Sequence, residues 1–391
     1  MTKAGWLFLV VCILLGLAAV RSQAPMMYVI FGAMLAAMQA SSMMSVGMLR
    51  RIEVRRKAPA RVWQNQVAPI AYFLRNLRRR SSLAMSVREL PPKSGPPGLQ
   101  LANGYCAHLA AMSVFRAGAR LVAAQRGRFQ FGPVRVSTQF PFGLVEARRK
   151  FFQDASLVVW PARGRLRKQL LHRGAVETSS AAPSRGAGGQ DEFFGLREYR
   201  VDDNPRWIHW RRSAGKLTPV VREMARPLPE ILFILLDTQV AADAVDATPE
   251  DRAAADEQAR RLEHALRFAA TFIDEALGRG YQVGLALSYR SGPVVFGASA
   301  SASHRTVLLD ALADVDVNTS HGLGRTISAL RPGQLHLAQV VAVTLDDGRA
   351  GGADFRGLRS SCRHLQVLSQ SQLDWVFEDA QPALSEGPPC P

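Results

Sequence analysis

The sequence predicts an α/β protein with two N-terminal transmembrane helices, a small antiparallel β domain and a C-terminal parallel sheet flanked by helices. Three observations carry this prediction: two apolar runs near the N-terminus, short alternating apolar stretches between Pro and Gly clusters, and long apolar runs that alternate with helical patterns. At 391 residues the chain is long enough for several compact units. We place the boundaries of its segments at residues 1–50, 51–176, 177–228, 229–379 and 380–391.

The two apolar runs predict a membrane anchor. They cover residues 6–20 and 26–49, and each is long enough to cross a hydrocarbon core of about 30 Å, the first only just. Lys3 precedes the first run and a dense basic segment follows the second, so both ends of the helical hairpin are expected in the cytoplasm. We therefore expect a multi-pass protein of the inner (cytoplasmic) membrane whose soluble domains face the cytoplasm. An alternative stays open, because residues 22–24 also fit the end of a signal peptide cleaved before Pro25.

The charge of the chain favours an anionic partner. Lys and Arg number 49 against 32 Asp and Glu, a formal net charge of +17. A basic cluster just past a membrane span is typical of contact with anionic headgroups. No finger, recognition helix or aromatic-basic strand motif accompanies it, so we predict membrane lipid as a partner and no nucleic acid. Much of the positive charge directly follows the second apolar run, at Arg50, Arg51, Arg55, Arg56, Lys57, Arg61, Arg75, Arg78, Arg79 and Arg80.

Residues 51–176 have the pattern of a β domain. Short alternating apolar stretches, such as residues 62–74 and 129–136, are bounded by Pro and Gly clusters, which is typical of small antiparallel units. Residues 177–190 are rich in Ser and Gly and predict a flexible linker. Residues 380–391 are expected to be a flexible tail.

Residues 229–379 predict the α/β domain. The apolar run 231–236 reads as a buried strand that ends at Asp237, and Pro249 begins a helix that Gly278 and Gly280 end. The alternation of strands and helices implies a mainly parallel sheet covered by helices on both faces. Further strands are expected at residues 283–287, 294–296, 340–345 and 365–368, and further helices at 304–312 and 327–330.

Residues 195–223 are the candidate functional segment, because Arg, Asp and Trp are unusually dense there. Arg can fork onto a carboxylate and stack on an indole, so one interpretation is an inter-domain clamp whose charges satisfy one another. The other is an exposed recognition surface with Trp and Arg as its main anchors. Residue types alone favour the clamp. The candidate binding residues are Arg197, Glu198, Tyr199, Asp203, Arg206, Trp210, Arg212 and Ser213.

This segment resembles the signature of the bacterial domain-of-unknown-function 58 family, in the order of Arg197-Glu198-Tyr199, Asp203, Arg206, Ile208, Trp210, Ser213-Ala214 and Val221-Arg222-Glu223. Residues 140–144, which read Phe-Pro-Phe-Gly-Leu, resemble that family's upstream pattern. Two positions depart from it: the family usually has Gly where Asp202 stands and a basic residue where Gly215 stands. The resemblance covers the chain from about the second apolar run to its end.

The resemblance implies a function. Proteins of that family are typically encoded beside MoxR-type AAA+ ATPases and often beside transglutaminase-like membrane proteins. It therefore implies a membrane-anchored, non-catalytic scaffold or adaptor that acts with a MoxR-type AAA+ ATPase in the assembly or maturation of protein complexes. A transglutaminase-like membrane protein is the second partner that it implies.

The α/β domain also resembles a von Willebrand factor type A domain. Ligands bind beyond the carboxyl ends of parallel strands, where Asp237 and Asp346 each follow an apolar strand. The metal site of that domain uses Asp-x-Ser-x-Ser, a distant Thr and a later Asp. Here the first motif reads Asp237, Gln239 and Ala241, so both hydroxyls are missing and the remaining set, Asp237, Thr319 and Asp346, is degenerate. Because a hard divalent cation needs several oxygen ligands, we expect no cofactor, with Mg²⁺ as the alternative.

The sequence does not predict catalysis. No His-Glu-x-x-His, Gly-x-Ser-x-Gly or Cys-His constellation occurs, and the histidines are scattered. Two alternatives to the adaptor nevertheless stay open at this point: a hydrolytic or metal-dependent enzyme of unknown substrate, and a basic surface binder of anionic lipid.

Overall fold

The computed structural model describes residues 1–22, 24–91, 98–101, 103–167, 170, 193–201, 203–215, 217–224, 230–240, 249–316, 322–336, 338–346 and 354–379. These residues form two N-terminal apolar helices, several antiparallel sheets and a C-terminal sheet that is mainly parallel. The predicted α/β class is confirmed at this level. The predicted linker at 177–190 and the predicted tail at 380–391 lie outside the described residues.

Two apolar helices open the chain, α1 (Lys3–Ser22) and α2 (Pro25–Leu49). Pro25 lies in the first turn of α2, where its missing N–H costs no hydrogen bond. The helices pack against each other, and Gly16 makes room for the ring of Phe31 because it has no side chain. Both helices are long and apolar enough to cross a membrane.

The β domain follows, and its strands pair across large sequence separations. Two sheets are antiparallel, with the strand orders β1-β3-β7-β5 and β10-β9-β4-β6. In a third sheet, β11 pairs with β8 antiparallel and with β2 parallel. The strands are β1 (Ile52–Lys57), β2 (Arg61–Trp63), β3 (Ala68–Asn76), β4 (Ser82–Glu89), β5 (Leu99–Leu101), β6 (Gly104–Leu109), β7 (Val114–Ala123), β8 (Gly127–Gln130), β9 (Val134–Thr138), β10 (Ala147–Phe151), β11 (Ser156–Trp160) and β12 (Gly164–Leu166).

An ion pair lies inside this domain. The side chains of Arg56 and Glu89 form a salt bridge and are only 1% and 0% exposed. Tyr72 Oη donates to Glu89 Oε2 over 2.9 Å, and Arg56 Nη2 donates to the carbonyl of Gln153 over 2.6 Å. The Arg56 guanidinium also lies 4.4 Å from the centre of the Phe131 ring. Burial raises the pKa of the Glu89 carboxyl above its ordinary value, although Arg56 and Tyr72 oppose the shift.

The loop at residues 140–144 contacts both helices. Thr2, next to the start of α1, donates from Oγ1 to the carbonyl of Gly143 over 2.6 Å. Ser45, in α2, donates from Oγ to the carbonyl of Phe140 over 2.7 Å. The start of α1 and the end of α2 therefore lie on the same side, against the β domain.

The candidate segment forms a hairpin of its own. Strands β13 (Phe193–Glu198) and β14 (Val220–Met224) pair antiparallel. Their connection contains a 3₁₀ turn, Pro205–Trp207, and the short helix α3 (Trp210–Ser213).

The C-terminal part forms a five-stranded sheet in the order β17-β16-β15-β18-β19. The pairs β15/β16, β15/β18 and β18/β19 are parallel, and the edge strand β17 is antiparallel to β16. Its elements are β15 (Ile231–Leu236), α4 (Pro249–Gly278), β16 (Gln282–Tyr289), β17 (Gly292–Ser299), α5 (Ala302–Ala313), α6 (Leu323–Ala329), α7 (Pro332–Leu335), β18 (Ala338–Val343), α8 (Asp354–Ser361), β19 (His364–Leu368), α9 (Gln370–Val376) and β20 (Phe377–Asp379).

Helices cover both faces of this sheet. Leu232 and Ile234 of β15 belong to a buried cluster with residues of α4, α5 and α9. Phe233 and Leu235, which point to the other face, belong to a second cluster with residues of α6, α7 and α8. This agrees with a strand buried on both sides, as its continuous apolar run predicts.

The β domain and the α/β domain share an interface. Trp63 and Trp160 belong to the same buried cluster as the core of α4 and α5, and β12 pairs with β20. Trp160 Nε1 donates to Asp310 over 2.8 Å, and Arg61 pairs with the same carboxylate over 2.9 Å. Arg128 Nε lies 2.6 Å from Asp314 Oδ1. Charged residues outside the 195–223 segment therefore provide these inter-domain ion pairs.

Candidate functional site

The connection between β13 and β14 folds back onto β14. The Tyr199 N–H donates to the carbonyl of Pro219 and the His209 N–H to that of Val220, each over 2.8 Å. Ile208 forms an isolated bridge with Val221. The valines Val220 and Val221 are buried, so this short hairpin has an apolar side of its own.

A bidentate ion pair closes the first part of the connection. Arg197 Nη1 lies 2.6 Å from Asp203 Oδ2, and Arg197 Nη2 lies 2.5 Å from Asp203 Oδ1. Asp203 Oδ2 also accepts from the Arg200 N–H over 2.8 Å. The hydrogen bonds from Arg197 and then from the Arg200 N–H lower the pKa of Asp203 below its ordinary value. Arg197 and Asp203 thus have a structural role within the segment.

Ser213 closes the second part. Its hydroxyl donates to the carbonyl of His209 over 3.0 Å and accepts from the Val220 N–H over 2.9 Å. The Nδ1 atom of His209 accepts from the Arg212 N–H over 3.3 Å, which caps α3. Ser213 and His209 therefore serve the main chain rather than forming a nucleophile and base pair.

All but one of the remaining candidates are exposed. Trp210 is 67% exposed, and Glu198, Arg206 and Arg212 are exposed, while Tyr199 is partly buried. Arg and Trp are the residue types most enriched in the energetic centres of protein interfaces. We call the exposed set Arg206, Trp207, Trp210, Arg211 and Arg212 the Trp–Arg face. Two exposed apolar neighbours that the sequence did not single out are Val201 and Leu217.

The second candidate region is the carboxyl edge of the α/β sheet. Asp237 follows β15, is buried, and accepts at Oδ1 from the Gln239 N–H over 3.1 Å. Asp346 follows β18 and is exposed, and Thr319 lies outside the described residues. Among the residues that the structure describes, no group of three His, Cys, Asp or Glu side chains could hold a metal ion. The donors that are present do not fit a hard divalent cation, because a single buried carboxylate is already used to hold its own loop.

Buried hydroxyl groups form hydrogen bonds at this carboxyl edge of the sheet. Thr238 Oγ1 donates to the carbonyl of Ser288 over 2.7 Å, and the hydroxyls of Ser288 and Thr326 are 2.6 Å apart. All three residues are buried, and sequence analysis missed them. Ser288 could have been singled out from the sequence, because it is a polar residue near the end of the apolar strand β16. Its hydrogen-bond partners come from other elements, so the cluster itself could not be predicted.

Comparisons with known proteins add little. No protein-family model and no curated protein matches the chain. Among solved structures, the CARDB domain of a Pyrococcus furiosus protein is 13% identical and has a TM-score of 0.18, covering 28% of this chain and 94% of that one. A GH20 exo-β-N-acetylglucosaminidase from Vibrio harveyi is 9% identical and also has a TM-score of 0.18, covering 75% of this chain and 57% of that one. At such TM-scores these likenesses carry no argument about fold or function.

Proposed function

We propose that the chain is a membrane-anchored, non-catalytic adaptor that binds a MoxR-type AAA+ ATPase and acts with it in the assembly or maturation of protein complexes. The resemblance to the domain-of-unknown-function 58 family names this partner. The observation that carries the proposal is the Trp–Arg face: Trp210 is exposed, and so are Arg206 and the two arginines that follow Trp210 in the chain. Arg197, Asp203 and Ser213 hold this face in shape and do not themselves meet the partner.

The anchor is the hairpin of α1 and α2, inserted in the inner membrane as a multi-pass unit. Support comes from the exposed apolar side chains of both helices and from the contacts of Thr2 and Ser45 with the 140–144 loop, which put both helix ends at the β domain. Lys3 and the basic segment after α2 favour the cytoplasm for that side.

The α/β domain is proposed to be von Willebrand factor A-like and to serve assembly without a bound metal. The mainly parallel sheet, the helices on both faces and the acidic residue after β15 support this proposal. Its surface is the proposed place for the second partner, a transglutaminase-like membrane protein.

The test uses the full chain in detergent and the purified MoxR-type ATPase of the same organism. Trp210→Ala and Arg206→Ala are each expected to weaken binding roughly 30-fold, the effect of losing an interface anchor of about 2 kcal/mol. Trp375→Ala is the matched control, since Trp375 is 59% exposed in α9, away from the hairpin in sequence. Equal affinity of wild type, Trp210→Ala and Arg206→Ala would refute the proposal.

A further inference from the structure

A groove of about 780 Å³ lies where α2 meets the β domain. Arg50 follows the last residue of α2, and the other walls come from the start of β1, the β3–β4 turn, the β6–β7 turn and β10. We call it the arginine groove, because its lining residues are Arg50, Arg51, Leu77, Arg78, Arg79, Arg80, Met112 and Arg149.

The charge of the groove is uncompensated. Among the residues that the structure describes, six guanidinium groups line it and no carboxylate does. Within the described part of the chain, none of these six forms an ion pair. Counting described partners only, Arg149 is the one of the six with a side-chain hydrogen bond, from Nη1 to the carbonyl of Leu49 over 3.2 Å. So many like charges on one concave surface raise its affinity for an anion, since an anion relieves their mutual repulsion.

The walls of the groove are fixed before any ligand binds. Asn76 is fully buried and donates from Nδ2 to the carbonyls of Arg80 and Ala110 over 2.9 and 3.0 Å. Its Oδ1 accepts from the Arg78 N–H over 3.0 Å. The Met112 N–H donates to the carbonyl of Arg78, and the Leu77 N–H to that of Arg51. One buried amide and these main-chain bonds thus join three segments, so binding has little backbone to order.

The backbone at two of these positions also adopts an uncommon conformation. Arg51 has φ of 54° and Met112 has φ of 53°, in the left-handed region that non-glycine residues seldom occupy. Backbone strain of this kind clusters at functional sites. At Arg51 and Met112 it accompanies side chains that line the groove.

We propose that the arginine groove binds the phosphate of an anionic lipid headgroup. The planar fork of Arg matches phosphate oxygens better than the single ammonium of Lys does. Met112, which is 67% exposed, and Leu77 offer apolar surface to the glycerol and the first acyl carbons. The lipid source follows from position, because the groove begins at the residue after α2 and α2 is proposed to span the membrane. The choice of a lipid as the source of the phosphate rests on the proposed anchorage, whereas the phosphate chemistry does not.

The experiment measures binding to the full chain in a neutral detergent, by microscale thermophoresis. Its probes are dioctanoyl phosphatidylglycerol, dioctanoyl phosphatidylcholine and inorganic phosphate. Phosphatidylglycerol is expected to bind saturably and more tightly than the other two. Arg79→Gln/Arg80→Gln is expected to weaken it roughly 25-fold, since each basic residue near an anionic headgroup contributes about a factor of five.

Arg116→Gln/Arg120→Gln is the matched control, because it removes two exposed charges from β7 and leaves the groove intact. It is expected to change affinity less than twofold. Equal weakening by the two double variants would overturn the proposal in favour of diffuse attraction. Inorganic phosphate binding as tightly as phosphatidylglycerol would overturn the lipid source.

A failure of the lipid site can be distinguished from a loss of folding and from a failure of the proposed function. If Arg79→Gln/Arg80→Gln lowers the melting temperature, Arg50→Gln/Arg51→Gln makes the same comparison from the other wall. Membrane fractionation of the full chain tests the anchorage, and ATPase binding tests the adaptor. A groove that binds phosphatidylglycerol in detergent while the chain fails to fractionate with membranes would leave the phosphate site standing and remove the anchorage.

Discussion

Replacing Arg56 by Met should sharply destabilise the β domain that carries the arginine groove. The substitution keeps an unbranched side chain but removes the guanidinium that lies over the Phe131 ring, and it leaves the Glu89 carboxylate buried without its cation. Breaking a fully buried ion pair from one side costs about 3–5 kcal/mol, because the remaining charge has lost water and gained no partner. Two further hydrogen bonds from Arg56 to main-chain carbonyls, those of Gln153 and Gly132, are lost with it.

The double variant Arg56→Met/Glu89→Gln is the informative partner. The amide oxygen that Glu89→Gln introduces can still accept the hydrogen bond from the Tyr72 hydroxyl, so the double variant differs from Arg56→Met only in lacking the unpaired carboxylate charge. Replacing both members of a buried pair is often close to neutral, and we expect the double variant to recover at least about 2 kcal/mol of the loss. The recovery separates the cost of an unpaired charge from the cost of lost packing.

Native-state hydrogen exchange is the appropriate assay, since a chain of several units does not unfold in one step. The free energy of opening is read from amides of β3 and β4, with amides of β15 and β16 in the α/β domain as the internal reference. The reasoning is refuted if Arg56→Met lowers the opening free energy of β3 by less than about 1 kcal/mol, or if the double variant is as unstable as the single one.

Three further predictions concern contacts between parts of the molecule. Gly5→Val should expose the 140–144 loop to limited proteolysis, because a Cβ at Gly5 would overlap the carbonyl of Leu144; Gly32→Val, which has open space, is the control. Asp310→Ala should lower the opening free energy of β11 amides by about 1–3 kcal/mol, since the Trp160 N–H loses its acceptor, whereas Asp310→Asn should retain most of it. The pKa of Asp203 is lowered, so its contribution to the stability of the β13–β14 connection is complete above pH 3.8, the ordinary pKa. This contribution is lost as the pH falls through the lowered pKa. Tryptophan fluorescence should therefore change less with acid below pH 3.8 in Asp203→Asn than in wild type.

Sequence periodicity was sufficient for the parallel part of the α/β sheet. The apolar run at residues 231–236 is long, unbroken and buried on both faces, so its identity as a strand needs no tertiary information. The direction of β17 was not predicted, although its strand was. A short turn ends at Gly292, whose φ of 128° only glycine adopts without strain, and a connection that short returns the chain antiparallel.

The β domain was predictable only as a class. β2 lies beside β11 although their sequences are nearly a hundred residues apart, and β12 pairs with β20 across most of the α/β domain. Alternating apolar residues define which face of a strand is buried but not which strand is its neighbour. The inter-domain contacts follow from these pairings and were therefore missed with them.

The candidate segment shows the same limit at the level of single residues. Arg197 and Arg206 are chemically identical, yet one forms a bidentate pair with Asp203 and the other is exposed. The difference arises because the 3₁₀ turn and α3 fold back onto β14, which brings Asp203 to Arg197 and turns Arg206 away. Arg197 and Asp203 thus pair within the hairpin rather than between the domains, and Arg206 is left exposed for the proposed recognition surface.

The interpretation of the basic segment after α2 differs most between the sequence and the structure. Along the chain, Arg50, Arg51 and Arg78–Arg80 are two separate clusters, which charge counting interprets as a diffuse flank. The pairing of β1 with β3 brings both clusters together, and β10 adds Arg149 from about seventy residues further on. Diffuse attraction would depend on total charge alone, so any two arginines of the β domain would be equivalent. A groove makes them unequal, and the contrast between Arg79→Gln/Arg80→Gln and Arg116→Gln/Arg120→Gln is therefore the measurement that distinguishes a lipid-binding site from a basic surface.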